Sequence, residues 1–171
     1  MIHLNIGSNL DSNYGSRFDN ISIAINLLIN SKIKVKKISN FYETPSYPNF
    51  NFPKFLNLGL VIDFSNSDLN LFKIIKKIEK KLGRIRSKKN DPRVIDIDII
   101  DFRSIVKNTK ELILPHPRCH LRNFVLFPIL QIDPNWSHPI LKKNACFLIS
   151  NLNLKFRIEI TRLQKNVNII T

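Results

Sequence analysis

The stretch DPRVIDIDIIDF, residues 91–102, alternates branched apolar residues with aspartates over most of its length. Successive side chains of a strand point to opposite faces, so Ile95, Ile97 and Ile99 share one face while Asp96 and Asp98 share the other. Such a segment reads as a strand with one face on a core and the other polar. Asp101 breaks the parity; in a regular strand it falls on the Ile97/Ile99 face, with a structural role. The surrounding chain is basic, with 27 Lys+Arg against 13 Asp+Glu and a formal net charge of +14. Carboxylates gathered on one strand of such a chain call for a positive partner.

Working outward, a basic loop (RIRSKKNDP, 84–92) precedes this strand. Before it, a helix capped by Ser67 or Asp68 carries Leu71, Ile74, Ile75, Ile78 and Leu82 on one stripe, with Gly83 at the C-cap. FLNLGLVIDF (55–64) is another strand, with Leu56, Leu58, Leu60 and Ile62 facing one way and Asn57, Gly59 and Val61 the other. ETPSYPNFNFPK (43–54) contains three prolines and reads as a loop. Residues 32–43 begin as an alternating strand and lose register near Lys36–Lys37, as a bulge would cause. Phe18, Ile21, Ile25 and Leu28 recur at helical spacing between Arg17 and Asn30, and residues 2–6 alternate as a first strand. On the C-terminal side come a short strand in ELIL (111–114), a proline-bounded turn and a helix through NFVLFPILQI (123–132). A short helix near Cys146 to Leu152 and an alternating strand, FRIEI (156–160), complete the chain. The order β-α-β-β-α-β followed by extra elements matches a ferredoxin-like α+β sandwich, a mainly antiparallel sheet with helices packed on one side. No linker or repeat divides residues 1–171, which are expected to form one domain with an extension after about residue 153.

Hydrophobic content of 43% with 12 Phe supports a packed core rather than disorder. No apolar run approaches the roughly 18 residues that span a bilayer, and MIHLNIGSNL has no leader pattern. Cys119 and Cys146 fit no zinc or redox spacing, so a reduced, cytoplasmic setting without membrane association is expected. The basic surplus raises nucleic acid as a partner. Enrichment in Ile, Asn and Lys throughout the chain offers a plainer cause for the lysines, and a small polyanion such as a nucleoside triphosphate accounts better for the arginines.

Two neighbouring carboxylates on one face repel each other unless a cation lies between them, and oxygen ligands suit a hard cation such as magnesium. The competing explanation is a half-exposed strand whose polar face happens to be acidic. Context favours the cation. Arg84, Arg86 and Arg93, with Lys88 and Lys89, flank the strand, and guanidinium groups match phosphate oxygens. PHPRCHLRNF (115–124) places His116, Arg118, His120 and Arg122 in one short loop. Only four glycines occur, and no glycine-rich phosphate loop can be drawn from them. A nucleotide bound here must be held by arginines and metal.

IGSNL (6–10), FYETP (41–45), FLN (55–57), GRIR (83–86), DPRVIDIDII (91–100) and LPHPRCHLRNFVL (114–126), in this order, resemble the 6-hydroxymethyl-7,8-dihydropterin pyrophosphokinase family of folate biosynthesis. The resemblance runs from about Ile6 to about Asp133, and it implies the same ferredoxin-like core as the element order. It implies a single pyrophosphokinase domain that transfers the β,γ-pyrophosphoryl group of ATP to the pterin's hydroxymethyl oxygen and releases AMP. By the resemblance, two Mg2+ ions bridge ATP to Asp96 and Asp98. ATP is implied at Lys76, Arg84, Arg86, Arg93, Ile99, His116 and Arg122, with Arg84, Arg93, Asp96 and Asp98 catalytic. The pterin is implied at Thr44, Pro45, Phe55, Asn57 and Phe124. Phe55 and Phe124 suit the two faces of a flat heterocycle, and the Asn57 amide suits its polar edge. ATP and pterin are the expected partners of a monomer that binds neither nucleic acid nor membrane.

The chain departs from the family in places. Many members carry a tryptophan in the loop before a GPR-like turn; here the run is SKKNDPR (87–93), shorter, with Asp91 for the glycine and the single tryptophan at Trp136. Val94 stands for a common threonine, Leu121 for a common acid and Lys76 for a common glutamine. The expectation is an active enzyme with an altered lid. Two other classes compete. An RNA-recognition module lacks its aromatic strand signature here, and sheet aspartates would repel phosphate. A two-metal polymerase or cyclase palm also carries strand aspartates, and would not need Phe55, Asn57 and Phe124.

Overall fold

A computed structural model describes residues 1–84, 91–165 and 167. Arg86, Lys88 and Lys89 lie outside the described residues, as do residues 87–90 of the loop expected to act as an altered lid. Seven elements carry the first hundred residues: β1 (Ile2–Ser8), α1 (Arg17–Asn30), β2 (Lys34–Ile38), β3 (Phe41–Thr44), β4 (Phe55–Asp63), α2 (Asp68–Lys81) and β5 (Asp96–Phe102). Then follow β6 (Lys107–Asn108), β7 (Ile113–Leu114), α3 (Asn123–Ile132), α4 (Ala145–Ser150), α5 (Leu154–Ile158) and β8 (Thr161–Leu163). The main sheet runs β5-β1-β4-β3-β8, with β2 also on β4, and each of its pairings is antiparallel. The slip expected near Lys36–Lys37 is present, as the β2–β4 register shifts between Val35 and Lys37.

Local chemistry sets the element ends. Ser16 and Asp19 form a capping box on α1, and Ser67 accepts from Asn70 N–H to start α2. Gly83, at φ +86, leaves α2 in the left-handed region that a Cβ disfavours. The ELIL strand forms as β7 but pairs only with β6, as a small separate ladder.

Leu4, Ile6, Leu58, Leu60, Ile97 and Ile99 pack with Ile21, Ile25, Leu71 and Ile75 of α1 and α2, forming the larger core. A third helix corrects the expectation of helices on one side. The α3 helix lies on the opposite face with α4, around Ile100, Val125, Leu126, Ile129 and Leu148. Gly59, on the face opposite Leu58 and Leu60, makes this approach possible: a Cβ there would stand 2.7 Å from Pro128 Cβ. Gly59→Ala is therefore expected to overpack the contact at a cost of about 1–3 kcal/mol, read as an unfolding midpoint lowered by several degrees.

The β5 strand is not regular. Its register with β1 runs Leu4↔Ile99 and then His3↔Asp101, so Ile100 is an extra residue. The bulge brings Asp101 to the face of Asp96 and Asp98 instead of the Ile97/Ile99 face. Its role is nonetheless structural. Buried, it accepts from Trp136 Nε1 at 2.9 Å and from Ser104 N–H at 2.8 Å. The tail also differs from expectation. Residues 154–158 are helical because Asn153 accepts from Lys155 N–H and starts a turn, so the strand begins only at Thr161, beside Glu43. Among the described residues, no helix is long and apolar enough to cross a membrane.

Candidate active site

The α3 helix covers only part of its sheet face. Beyond its N-terminus, Asn5, Gly7, Asn57, Asp96 and Asp98 line a cavity of about 540 Å³. The register explains their meeting: Gly7 lies opposite both Asn57 and Asp96, and Asn5 lies opposite Asp98. Arg84 enters from the end of α2, Arg93 from the loop before β5, and His116 and Arg122 from the loop before α3. Sites that the sequence separates by more than a hundred residues thus share one wall.

At the charged end, Arg84 Nη1 donates to Asp96 Oδ1 at 2.6 Å and Arg93 Nη1 donates to Asp96 Oδ2 at 2.7 Å. Asp98 is less well paired, with Arg122 Nη1 at 3.5 Å and His116 Nε2 at 3.9 Å. Burial, and then the neighbouring Asp96 charge, push the Asp98 carboxyl up to about 6. Burial and Arg122 push His116 down to about 4, so its ring is neutral at pH 7. Arg118 N–H donates to His116 Nδ1 at 3.1 Å, and Arg122 Nη1 lies 3.4 Å from Nε2; a neutral ring accepts at only one of these nitrogens. Burial works to lower the Arg84 pKa, but Asp96 and Glu79 outweigh it and raise it, so the guanidinium stays charged.

Glu79 is one residue that motif reading missed. It lies on α2 with a side chain only 3% exposed, where it accepts from Lys76 Nζ at 2.7 Å, from Arg84, and from Ile97 N–H at 2.8 Å. One carboxylate so ties helix, arginine and the strand between the two aspartates. The available signal was its place beside the apolar stripe, three residues after Lys76, where an acid without a partner would be costly.

At the other end of the same cavity stand Thr44, Pro45, Phe55, Asn57 and Phe124. Asn57 Nδ2 donates to Thr44 Oγ1 at 3.3 Å, which fixes the amide and leaves Oδ1 as an acceptor. The guanidinium groups of Arg93 and Arg122 lie over the Phe55 and Phe124 rings, at 5.6 and 5.3 Å from their centroids, so the two ends share side chains. A crevice of about 270 Å³, lined by Phe72, Ile97, Ile99 and Leu112, adjoins this cavity through Lys76, Asp98 and His116. Ile99 itself is mostly in the core, 5% exposed, and reaches that crevice only at its edge. Of the expected site residues within the described chain, all meet in these two adjoining spaces.

An antiparallel α+β sandwich with arginines and paired aspartates at one end of a cavity, and aromatic rings with a fixed amide at the other, defines a transferase that joins a polyanion to a flat polar heterocycle. The comparisons specify which. The family model for 7,8-dihydro-6-hydroxymethylpterin-pyrophosphokinase (HPPK) matches residues 3–134, and the chain belongs to that family. It is 39% identical over 142 residues to the 2-amino-4-hydroxy-6-hydroxymethyldihydropteridine pyrophosphokinase of Aquifex aeolicus, covering 83% of this chain and 86% of that one. The Bacillus subtilis protein of the same name is 36% identical, over 72% of this chain and 74% of its own. A folic acid synthesis protein of Dictyostelium discoideum is 35% identical, and the match covers 82% of this chain but 21% of that longer protein. Among solved structures, Plasmodium falciparum HPPK-DHPS superposes with a TM-score of 0.70 over 94% of this chain and 47% of that one. At 18% identity it supports the fold alone.

Proposed function

We propose that the chain performs its family's reaction, ATP-dependent pyrophosphoryl transfer to 6-hydroxymethyl-7,8-dihydropterin in folate biosynthesis, with two Mg2+ ions held by Asp96 and Asp98. The carrying observation is the two-ended cavity, with Asp96, Asp98, Arg84, Arg93 and Arg122 at one end and Phe55, Asn57 and Phe124 at the other. The donor set fits hard cations: carboxylate oxygens side by side, one of them with its pKa raised by burial and by the carboxylate beside it. When bound, such ions neutralise charge on the phosphates and on the group in transfer.

The protein's own part is positioning and electrostatics. Arg84 and Arg93 pair with Asp96 here, and would be free to meet phosphate oxygens were that carboxylate held by a metal. Arg122 and the neutral ring of His116 face the same phosphates. Lys76 and Ile99 line the nucleoside side, and Thr44, Pro45, Phe55, Asn57 and Phe124 orient the pterin. Residues 1–171 work as one pyrophosphokinase domain, monomeric and cytoplasmic, without nucleic acid or membrane as partner.

The test is to mix protein, Mg-ATP and hydroxymethyl-dihydropterin and follow AMP. AMP formation that requires the pterin is the expected result; ADP, or no dependence on pterin, overturns the proposal. A variant separates the two ends of the site. Phe124→Ala is expected to raise the pterin KM by about tenfold and to leave the ATP KM within about twofold. Equal losses for both substrates would remove Phe124 from the pterin end.

A further inference from the structure

The chain after Asn153 lies outside the segment matched by the family model, which stops at residue 134, yet it reaches the cavity. Phe156 and Glu159 are part of the cavity lining. Three anchors hold them there. The β8 strand extends the main sheet beyond β3, with Thr161 opposite Glu43 and Arg162 opposite Tyr42. Asn123, the first residue of α3 and neighbour of Phe124, donates from Nδ2 to the Phe156 carbonyl at 2.6 Å. The third anchor is the loop after Pro45: Tyr47 meets Phe156 edge to face at 6.1 Å, and Lys155 Nζ lies 4.5 Å from the Phe50 ring centroid.

These anchors place the tail at the heterocycle end. Thr161 pairs with Glu43 near the end of β3, so Glu159, the residue that closes α5 two positions earlier, lies near the loop that follows β3, and it lines the cavity with Thr44 and Pro45. Its carboxylate has no hydrogen-bond or ion-pair partner among the described residues, in a chain with 27 Lys+Arg. A free carboxylate beside the phosphate subsite would repel the ligand. At the far end it complements a heterocycle edge that carries N–H donors, for which Asn57 Oδ1 is the other acceptor in place.

We propose that residues 153–163 form a third wall of the pterin end, in which Phe156 packs against the heterocycle and Glu159 accepts from its N–H edge. The assignment rests on the pyrophosphokinase function argued above. Phe156 and Glu159 are binding and specificity residues, contributed by a part of the chain that the family's motifs do not reach.

The experiment uses the full chain and the variants Phe156→Ala, Phe156→Tyr and Glu159→Ala. Pterin binding without ATP, the KM of each substrate and the thermal midpoint are measured for each. Phe156→Ala and Glu159→Ala are expected to weaken pterin binding by about tenfold, with the ATP KM changed by less than about twofold. Phe156→Tyr, which keeps a ring, restores pterin binding to within about threefold of wild type. Glu159→Ala removes no partner from the fold, so its midpoint stays with wild type and its loss reads the ligand alone. Unchanged pterin binding in both alanine variants overturns the wall while leaving the function intact. Equal weakening of pterin and ATP with a lowered midpoint reduces the tail to a structural brace and also overturns it. A wild-type protein without pterin-dependent AMP formation removes the function itself, and the wall with it.

Discussion

Asp98→Asn is expected to lower pterin-dependent AMP formation by roughly a thousandfold or more while making the metal-free protein more stable. The two effects share one cause. Asp98 stands beside Asp96 on a partly covered sheet face, with one cation, Arg122, at 3.5 Å and the neutral His116 ring at 3.9 Å. Burial, and then the Asp96 charge, raise its carboxyl to about 6. A carboxyl raised on folding favours the native state below its unfolded value near 4, and that contribution is lost as pH rises through 6. With 30% of the side chain exposed, water screens part of the strain, leaving a cost at neutral pH of about 1–2 kcal/mol. Asparagine keeps the shape and removes the charge. The thermal midpoint of metal-free Asp98→Asn should exceed wild type by a few degrees at pH 7, and the gain should shrink as pH falls from 6 toward 4. Near-normal turnover in the variant would sink the metal assignment. A midpoint below wild type at pH 7 would instead show that the Arg122 pairing outweighs burial.

How far this site was legible in the sequence depends on which interactions are local. Parity along β5 needs only neighbouring residues, and it placed Asp96 and Asp98 together without a structure. The helical stripes, the bulge at Lys36–Lys37 and the glycine cap at Gly83 are local in the same sense. Asp101 shows where locality ends. Its face depends on the extra residue Ile100, which is accommodated because it fits the cluster under α3. A regular alternation cannot announce that. FRIEI alternates well enough for a strand, yet an asparagine cap two residues upstream of Lys155 starts a helix through it.

Similar reasoning separates the site residues found from those missed. Arg84, Arg93, His116 and Arg122 were found because charged groups in short motifs attract notice, and the rings at Phe55 and Phe124 because the family resemblance drew attention to them. Tyr47, Phe156 and Glu159 lie in segments without a motif, and only the β3–β8 pairing carries the last two to the cavity. Asn5 and Gly7 read as ordinary strand positions until the register sets them opposite Asp98 and Asp96.

Glu79 is the case where a missed residue should matter most. Its carboxylate is buried, and it balances Lys76 and Arg84 while accepting from Ile97 N–H at 2.8 Å, between the two aspartates. Glu79→Gln removes the negative charge and turns an amide N–H2 toward groups that already donate. Breaking a buried charge network in this way typically costs about 3–5 kcal/mol, so the unfolding midpoint should fall by roughly ten degrees. At a temperature where the variant stays folded, Arg84 is no longer aimed, and kcat should fall by about a hundredfold. Glu79 is a positioning residue, so its effect must pass through the groups it holds. Arg84→Ala and the double variant Glu79→Gln/Arg84→Ala should then have similar turnover, a coupling that independent sites would not show. Pterin binding without ATP should change little, since Glu79 does not reach the heterocycle end. Fully additive losses in the double variant would break the link to Arg84, and a midpoint within a degree of wild type would show that the network does not support the fold.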